Sequence, residues 1–171
     1  FKELGRQLPK KIDRYVTDMT DFAMLADLMA STFIEDPTRR QQVLEELVAN
    51  RMENVLALRG DPPKGETRFV AHPDGFDYAN ELVEFIRSRY SLCIGGAAYP
   101  EKHPECPNAD LDLDNLKRKV DAGAEFLVTQ LFFDNVDYFR FIERCRRVGI
   151  SIPIVPGIMP ILSAPQIKRI T

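Results

Sequence analysis

The spacing of hydrophobic residues changes near residue 54. Before that point it is helical. Phe22, Leu25, Leu28 and Met29 fall on one helix face, and Val43, Leu44, Leu47 and Val48 fall on another, the pattern of amphipathic helices. A first helix is predicted from 10–15, and Thr20 or Asp21 is placed to cap a second. Asp36-Pro37 then gives a strong start signal, a cap residue followed by proline at the first helical position. From residue 54 onward, apolar runs at 54–58, 92–98, 126–133 and 152–155 alternate with helical patterns at 78–89, 111–122 and 138–148. Alternating β and α segments predict a parallel sheet joined by right-handed crossovers. Runs without polar alternation predict strands covered on both faces.

Each predicted strand ends in special or polar residues: Arg59-Gly-Asp61, Tyr99-Pro-Glu101, Gln130 with Asp134, and Pro156-Gly157. In (β/α) barrels the ligand site lies on that carboxyl rim. The expected class is therefore α/β, a partial (β/α)8 TIM barrel of about four βα units behind an all-helical segment. The division falls into a helical part, 1–53, and a partial barrel, 54–171. An open half barrel leaves strand edges and apolar surface uncovered, so homo-oligomerisation or poor solubility is expected.

Composition removes several classes of function. The 23 basic residues are interspersed with 26 acidic ones, for a net charge of −3; this gives no basic stripe for nucleic acid. No apolar run approaches the ~20 residues of a membrane span, and no signal peptide is visible. The first residue is Phe1, so the natural start is expected upstream. Three cysteines, Cys93, Cys106 and Cys145, form no CxxC pair. Their number argues against a disulfide framework and for a reducing cytoplasm. Two histidines, His72 and His103, are few for a His-based metal site.

Three stretches carry chemistry. Tyr99-Pro-Glu-Lys-His-Pro-Glu105 puts an aromatic ring, an imidazole and two carboxylates in a proline-stiffened loop, which suits a planar ring and a phosphate. His103 and Cys106 are two possible metal ligands, too few for a zinc site. Asp110-Leu-Asp-Leu-Asp114 begins like a calcium loop but has Asn115 where the loop needs glycine and Asp121 where it needs glutamate. Its aspartates are expected to cap and charge a helix that Gly123 ends. Lys117, Arg118 and Lys119 on that helix form either a solvated face or a phosphate contact. Thr129-Gln130 interrupts an apolar strand; a glutamine facing a barrel interior needs partners, and its amide suits a heterocycle. Phe132 and Phe133 are expected in the core. The Arg-Gly-Asp triplet at 59–61 is read as a strand end and not as an adhesion motif.

Five ordered motifs, Ala57-Leu-Arg-Gly-Asp61, Ala97-Ala-Tyr-Pro-Glu-Lys-His-Pro-Glu105, Leu116-Lys-Arg-Lys-Val-Asp-Ala-Gly-Ala124, Thr129-Gln-Leu-Phe-Phe-Asp134 and Pro156-Gly-Ile-Met-Pro160, resemble the methylenetetrahydrofolate reductase family. The resemblance covers about 53–171. It implies a flavin-dependent (β/α)8 barrel that passes a hydride from NAD(P)H to FAD and on to methylenetetrahydrofolate, yielding methyltetrahydrofolate for one-carbon metabolism and methionine synthesis. It also implies roles for single residues. Arg59, Gly60 and Asp61 border the flavin, and Asp61 also faces the folate. Tyr78 and Ala79 line the cofactor. Tyr99 and His103 contact the flavin and its ribityl or phosphate portion. Asp112, Asn115, Arg118 and Lys119 hold the pyrophosphate and adenosine end. Gln130 and Gln166 contact the pterin or the nicotinamide, which alternate at one site, so Asp61 and Gln130 become the catalytic candidates.

The sequence departs from the family in three places. The glutamate-bearing first-strand motif is absent, as is the second-strand Thr-Tyr element. The family's His-Leu-Thr strand aligns near Met29-Ala-Ser-Thr32, without a histidine. The eighth strand is expected beyond Thr171. Little folate reduction is therefore expected from this chain alone. Residues 1–55 carry Arg6-Gln-Leu-Pro-Lys10, Phe22-Ala-Met-Leu-Ala-Asp-Leu-Met-Ala-Ser31 and Arg39-Arg-Gln-Gln-Val-Leu-Glu-Glu46, which resemble the helical end of the Lon protease N-terminal domain. That resemblance implies an alternative function, a non-catalytic helical module that binds substrates or partners.

Overall fold

The computed structural model describes residues 37–60, 62, 69–71, 73 and 75–159. The helices expected between residues 10 and 35, together with Asp61, His72 and Gln166, lie outside the described residues. Helix α1 spans Pro37–Ala49 and starts at the proline that the sequence marks. Three βα units and a last strand follow: β1 (Asn54–Ala57), α2 (Ala79–Arg89), β2 (Cys93–Ala98), α3 (Ala109–Asp121), β3 (Phe126–Thr129), α4 (Asn135–Arg147) and β4 (Ile154–Val155). The strands form one sheet in the order β1-β2-β3-β4, with every neighbouring pair parallel.

The register explains how the helices dock. Val55 pairs with Ile94, Ala57 with Gly96, Gly96 with Leu127, and Ala98 with Thr129. These residues share one face, because side chains alternate along a strand, and all of them are buried. Val55, Ala57 and Ile94 pack with Val83 and Ile86 of α2 and with Leu44 and Leu47 of α1. Ala98 and Leu127 pack with Leu113 and Leu116 of α3 and with Phe141 and Cys145 of α4. The helices therefore cover one face, and α1 shares its core with the sheet.

The opposite face differs from the expectation of strands buried on both sides. Leu56, Phe126 and Val128 are only half-buried, since among the described residues the helices pack on the other side. Gly95 lets this face close up locally. A Cβ there would stand 2.4 Å from the Phe126 ring, so the missing side chain is the space the ring fills.

Strand lengths also differ from the sequence pattern. The run at 126–133 yields a strand only to Thr129, and the run at 152–155 pairs only over Ile154–Val155. Thr129 is the turning point. It is 5% exposed, and its hydroxyl accepts a hydrogen bond of 2.9 Å from the Gly157 N–H. A Cβ at Gly157 would lie 2.0 Å from the Thr129 carbonyl oxygen, so the β4 chain passes too close for any side chain. Helix α3 is capped by Asn108, whose side chain accepts from the Leu111 N–H at 2.8 Å. The aspartates at 110 and 112 lie in its first turn instead of at the cap, where they suit the positive end of the helix dipole. Gly123, at φ 121°, carries the chain off the helix end as expected.

At the amino edge of the sheet Arg87 ties α2 to the α3–β3 turn. It donates to the Gly123 carbonyl at 2.8 Å and pairs with Glu125 at 2.7 Å. Among the described residues no helix is long and apolar enough to cross a membrane.

Candidate functional site

All four strands end at the same edge because all are parallel. Arg59 and Gly60 follow β1, Tyr99 follows β2, Gln130 follows β3, and Pro156 and Gly157 follow β4. Each helix begins above that edge, so Tyr78 and Ala79 at the start of α2, and Asp112 and Asn115 in the first turns of α3, lie on the same side. Tyr78 is 62% exposed. Its backbone N–H, like that of Asp77, donates to the Glu81 carboxylate, which fixes the helix start.

The densest cluster links β1 to the loop after β2. The Arg59 guanidinium grips the Glu105 carboxylate with two bonds, of 2.7 and 2.9 Å. The same guanidinium lies 4.7 Å from the centre of the Phe69 ring, within range of a cation–π contact. Gly60 follows at φ 91°, and among the described residues no atom lies within 4 Å of where its Cβ would be. At that φ a side chain would be strained, so glycine is favoured there. In the loop, the Glu105 N–H donates to His103 Nδ1 at 3.1 Å, and the His103 N–H donates to the Asp112 carboxylate at 3.0 Å. The Tyr99 and His103 rings meet edge-on, 4.5 Å apart. Lys102 Nζ closes the loop by donating to the carbonyls of His103 and Cys106.

Lys119 approaches the site from below. As a whole it is half-buried, but its ammonium is enclosed by protein and donates to the Ala97 carbonyl at 2.7 Å. Its stem lies over Gly96, where a Cβ would stand 2.7 Å from the lysine Cδ. Burial pushes its pKa down to about 8, partly opposed by Asp112. Burial also lowers the His103 pKa. Arg59 and Lys119 act in the same direction, and Glu105 and Asp112 oppose them. The Glu105 carboxyl titrates below its ordinary value, chiefly because of its hydrogen bond from Arg59.

The three basic residues of the Lys-Arg-Lys run have different surroundings. Lys117 pairs with Asp121 one turn on, Arg118 is exposed, and Lys119 turns inward. Gln130 departs from expectation. It lies past the strand and is exposed, and its side-chain oxygen accepts from the Leu131 N–H at 2.8 Å. Its partner is thus the adjoining backbone and not a barrel interior. Phe133 is 60% exposed and Phe132 is half-buried, so neither is in the core as expected. Both line a cleft of about 450 Å³ between the ends of β3 and β4, with Tyr138, Phe139 and Met159. Phe132 and Tyr138 stack there, 5.2 Å apart, while the Tyr138 hydroxyl donates to the Ile154 carbonyl.

Hydrogen bonds therefore join Arg59, Glu105, His103 and Asp112, with the Tyr99 ring against His103 and Lys119 on the Ala97 carbonyl, whereas Gln130 bonds to its adjoining backbone and Asn115 and Arg118 are exposed. The sequence marks Glu105 only as one of the two carboxylates of the loop after β2, with no partner. Its signal was the second carboxylate of the loop, which needs a cation and finds Arg59. Among the described residues no three His, Cys, Asp or Glu side chains converge as a metal site would require. The donors present are cationic or neutral N–H groups, with two aromatic rings beside them, and the Glu105 and Asp112 carboxylates accept from them.

Known proteins share this sequence pattern. The family model described as Methylenetetrahydrofolate reductase matches residues 11–171, a span that takes in most of the segment likened to the Lon domain. A protein of Arabidopsis thaliana named Methylenetetrahydrofolate reductase (NADH) 1 is 50% identical over 129 residues, 69% of this chain and 22% of its own length. Its namesake from Zea mays is 41% identical over 165 residues, 90% of this chain and 28% of its own. The 5,10-methylenetetrahydrofolate reductase of Escherichia coli is 41% identical over 133 residues, 78% of this chain and 43% of its own. The chain thus spans less than half the length of these relatives.

Proposed function

The chain belongs to the methylenetetrahydrofolate reductase family, and from that premise we propose that its carboxyl rim binds FAD and serves the reduction of methylenetetrahydrofolate with a hydride from NAD(P)H. One observation supports this reading above others: Arg59, Tyr99, His103, Asp112 and Lys119 converge at one edge of a parallel sheet. FAD held there would supply the hydride-transfer chemistry between nicotinamide and folate. The chain's own residues bind and orient. The Lys119 ammonium has three donors, of which the Ala97 carbonyl takes one; with Asp112, Asn115 and Arg118 it would hold the pyrophosphate and adenosine end. His103 and Tyr99 contact the ribityl and ring portions. Arg59, Gly60 and Asp61 border the flavin, and Tyr78 and Ala79 line it. Asp61, Gln130 and Gln166 face the folate or the nicotinamide in turn.

The names of the two plant relatives specify NADH, which supports a nicotinamide donor. A cytoplasmic, homo-oligomeric flavoprotein is the setting we propose. Because the chain spans less than half the length of these relatives, FAD binding is tested ahead of turnover. The test is to titrate the purified chain with FAD and then to follow NAD(P)H oxidation with and without methylenetetrahydrofolate. Saturable flavin uptake with weak folate-dependent oxidation is expected. Failure to take up FAD would overturn the reading.

A further inference from the structure

The loop after β2 does more than carry candidate ligand contacts; it fixes their chemical state. His103 Nδ1 faces the Glu105 N–H at 3.1 Å. A nitrogen that accepts a hydrogen bond carries no proton, so the ring proton sits on Nε2. A doubly protonated ring would place two N–H groups head to head there. The geometry thus selects a neutral imidazole with one donor, Nε2–H. The loop that supplies this N–H is held at several points. The Asp112 carboxylate accepts from the His103 N–H, the Cys106 N–H donates to the His103 carbonyl at 3.0 Å, and Lys102 spans the carbonyls of His103 and Cys106. The same Glu105 whose backbone faces the imidazole grips Arg59 with both carboxylate oxygens. Glu105 lies one residue beyond Pro104, and Arg59 lies at the end of another strand.

We propose that Glu105 is a positioning residue of this rim: its backbone N–H holds His103 as the Nε2–H tautomer, and its carboxylate holds Arg59 in place. Both donors are then aimed before a ligand arrives, which lowers the cost of binding. The inference rests on the rim being a ligand site, and it names the carboxylate and the tautomer on which that site depends. The groups facing His103 agree with a neutral ring, since burial, Arg59 and Lys119 outweigh Glu105 and Asp112.

The test has two readouts. Long-range nitrogen–proton correlation NMR on the flavin-free full chain reports the tautomer of each histidine, and the sequence has only His72 and His103 to assign. His103 is expected to carry its proton on Nε2 at neutral pH. A proton on Nδ1, or a charged ring, overturns the tautomer assignment whether or not FAD binds. Glu105→Gln, which keeps the backbone N–H, is expected to leave the tautomer unchanged and weaken FAD binding about tenfold, with Glu105→Asp recovering part of the loss. Unchanged affinity in Glu105→Gln, where the parent binds FAD, overturns the anchoring role. A parent that binds no FAD overturns the proposed function instead and leaves the tautomer result standing.

Discussion

Lys119 is an expensive residue for the fold, and its cost can be measured. The perturbation is Lys119→Met, which keeps an unbranched apolar stem over Gly96 and removes the charge. In the folded protein burial lowers the lysine pKa from 10.5 to about 8. The gap between them, at 1.36 kcal/mol per pH unit, amounts to about 3 kcal/mol. The sign follows from which state binds the proton more tightly. The unfolded chain does, so the penalty is fully present below about pH 8. It is relieved as pH rises from about 8 to 10.5. Methionine removes the penalty but leaves the Ala97 carbonyl without its donor, a loss of about 1 kcal/mol. The net expectation is a gain of about 2 kcal/mol at neutral pH, or roughly 4–8 °C in melting temperature for a chain of this size. Circular dichroism melts at neutral pH and near pH 10 provide the assay, and the advantage of the variant should shrink at the higher pH. A variant less stable than the parent at neutral pH, or an advantage independent of pH, would show that the buried charge carries no such penalty. The same substitution should weaken binding of an anionic ligand, which is the reason to retain a destabilising lysine at a site.

Other consequences follow from single contacts. Gly157→Ala places a methyl group 2.0 Å from the Thr129 carbonyl, so β4 must shift; a loss of about 2–3 kcal/mol is expected in chemical denaturation. Phe141→Ala opens a cavity in the α3–α4 core and should cost about 3–5 kcal/mol, with a lowered melting temperature as the readout. The hydrogen bond from Arg87 depresses the Glu125 pKa. Its stabilising contribution is therefore present above the ordinary carboxylate range and is lost as pH falls through the folded-state value. Because both side chains are partly exposed to solvent, Glu125→Gln should change the acid limb of a stability profile by less than about 1 kcal/mol.

Helix starts and strand order were legible because they depend on local signals. Asp36-Pro37 marks the first residue of α1, and the alternation after residue 54 encodes the parallel sheet. Strand ends were less legible. The apolar run to Phe133 reads as one strand, but the Thr129 hydroxyl binds the Gly157 N–H and the chain turns away. Phe132 and Phe133 consequently line a cleft instead of a core. The helical spacing of Leu113, Leu116 and Val120 behind the aspartates predicts an aspartate cap for α3, whereas Asn108 holds the position. At the candidate site, the strand-end rule points to Arg59 and Tyr99, and the proline-stiffened loop points to His103. It did not reveal that Glu105 joins Arg59 to His103, since a contact between residues 46 positions apart leaves no local pattern. The inward turn of Lys119 was likewise hidden, because its neighbours in the same run face solvent or pair along the helix.

We propose that the carboxyl rim of this sheet is a flavin site. Flavin fluorescence during titration of the purified chain with FAD tests it most directly. Saturable binding is predicted, weakened in Lys119→Met and unchanged in Arg87→Ala at the opposite edge of the sheet. Absence of binding, or equal loss in both variants, would contradict it.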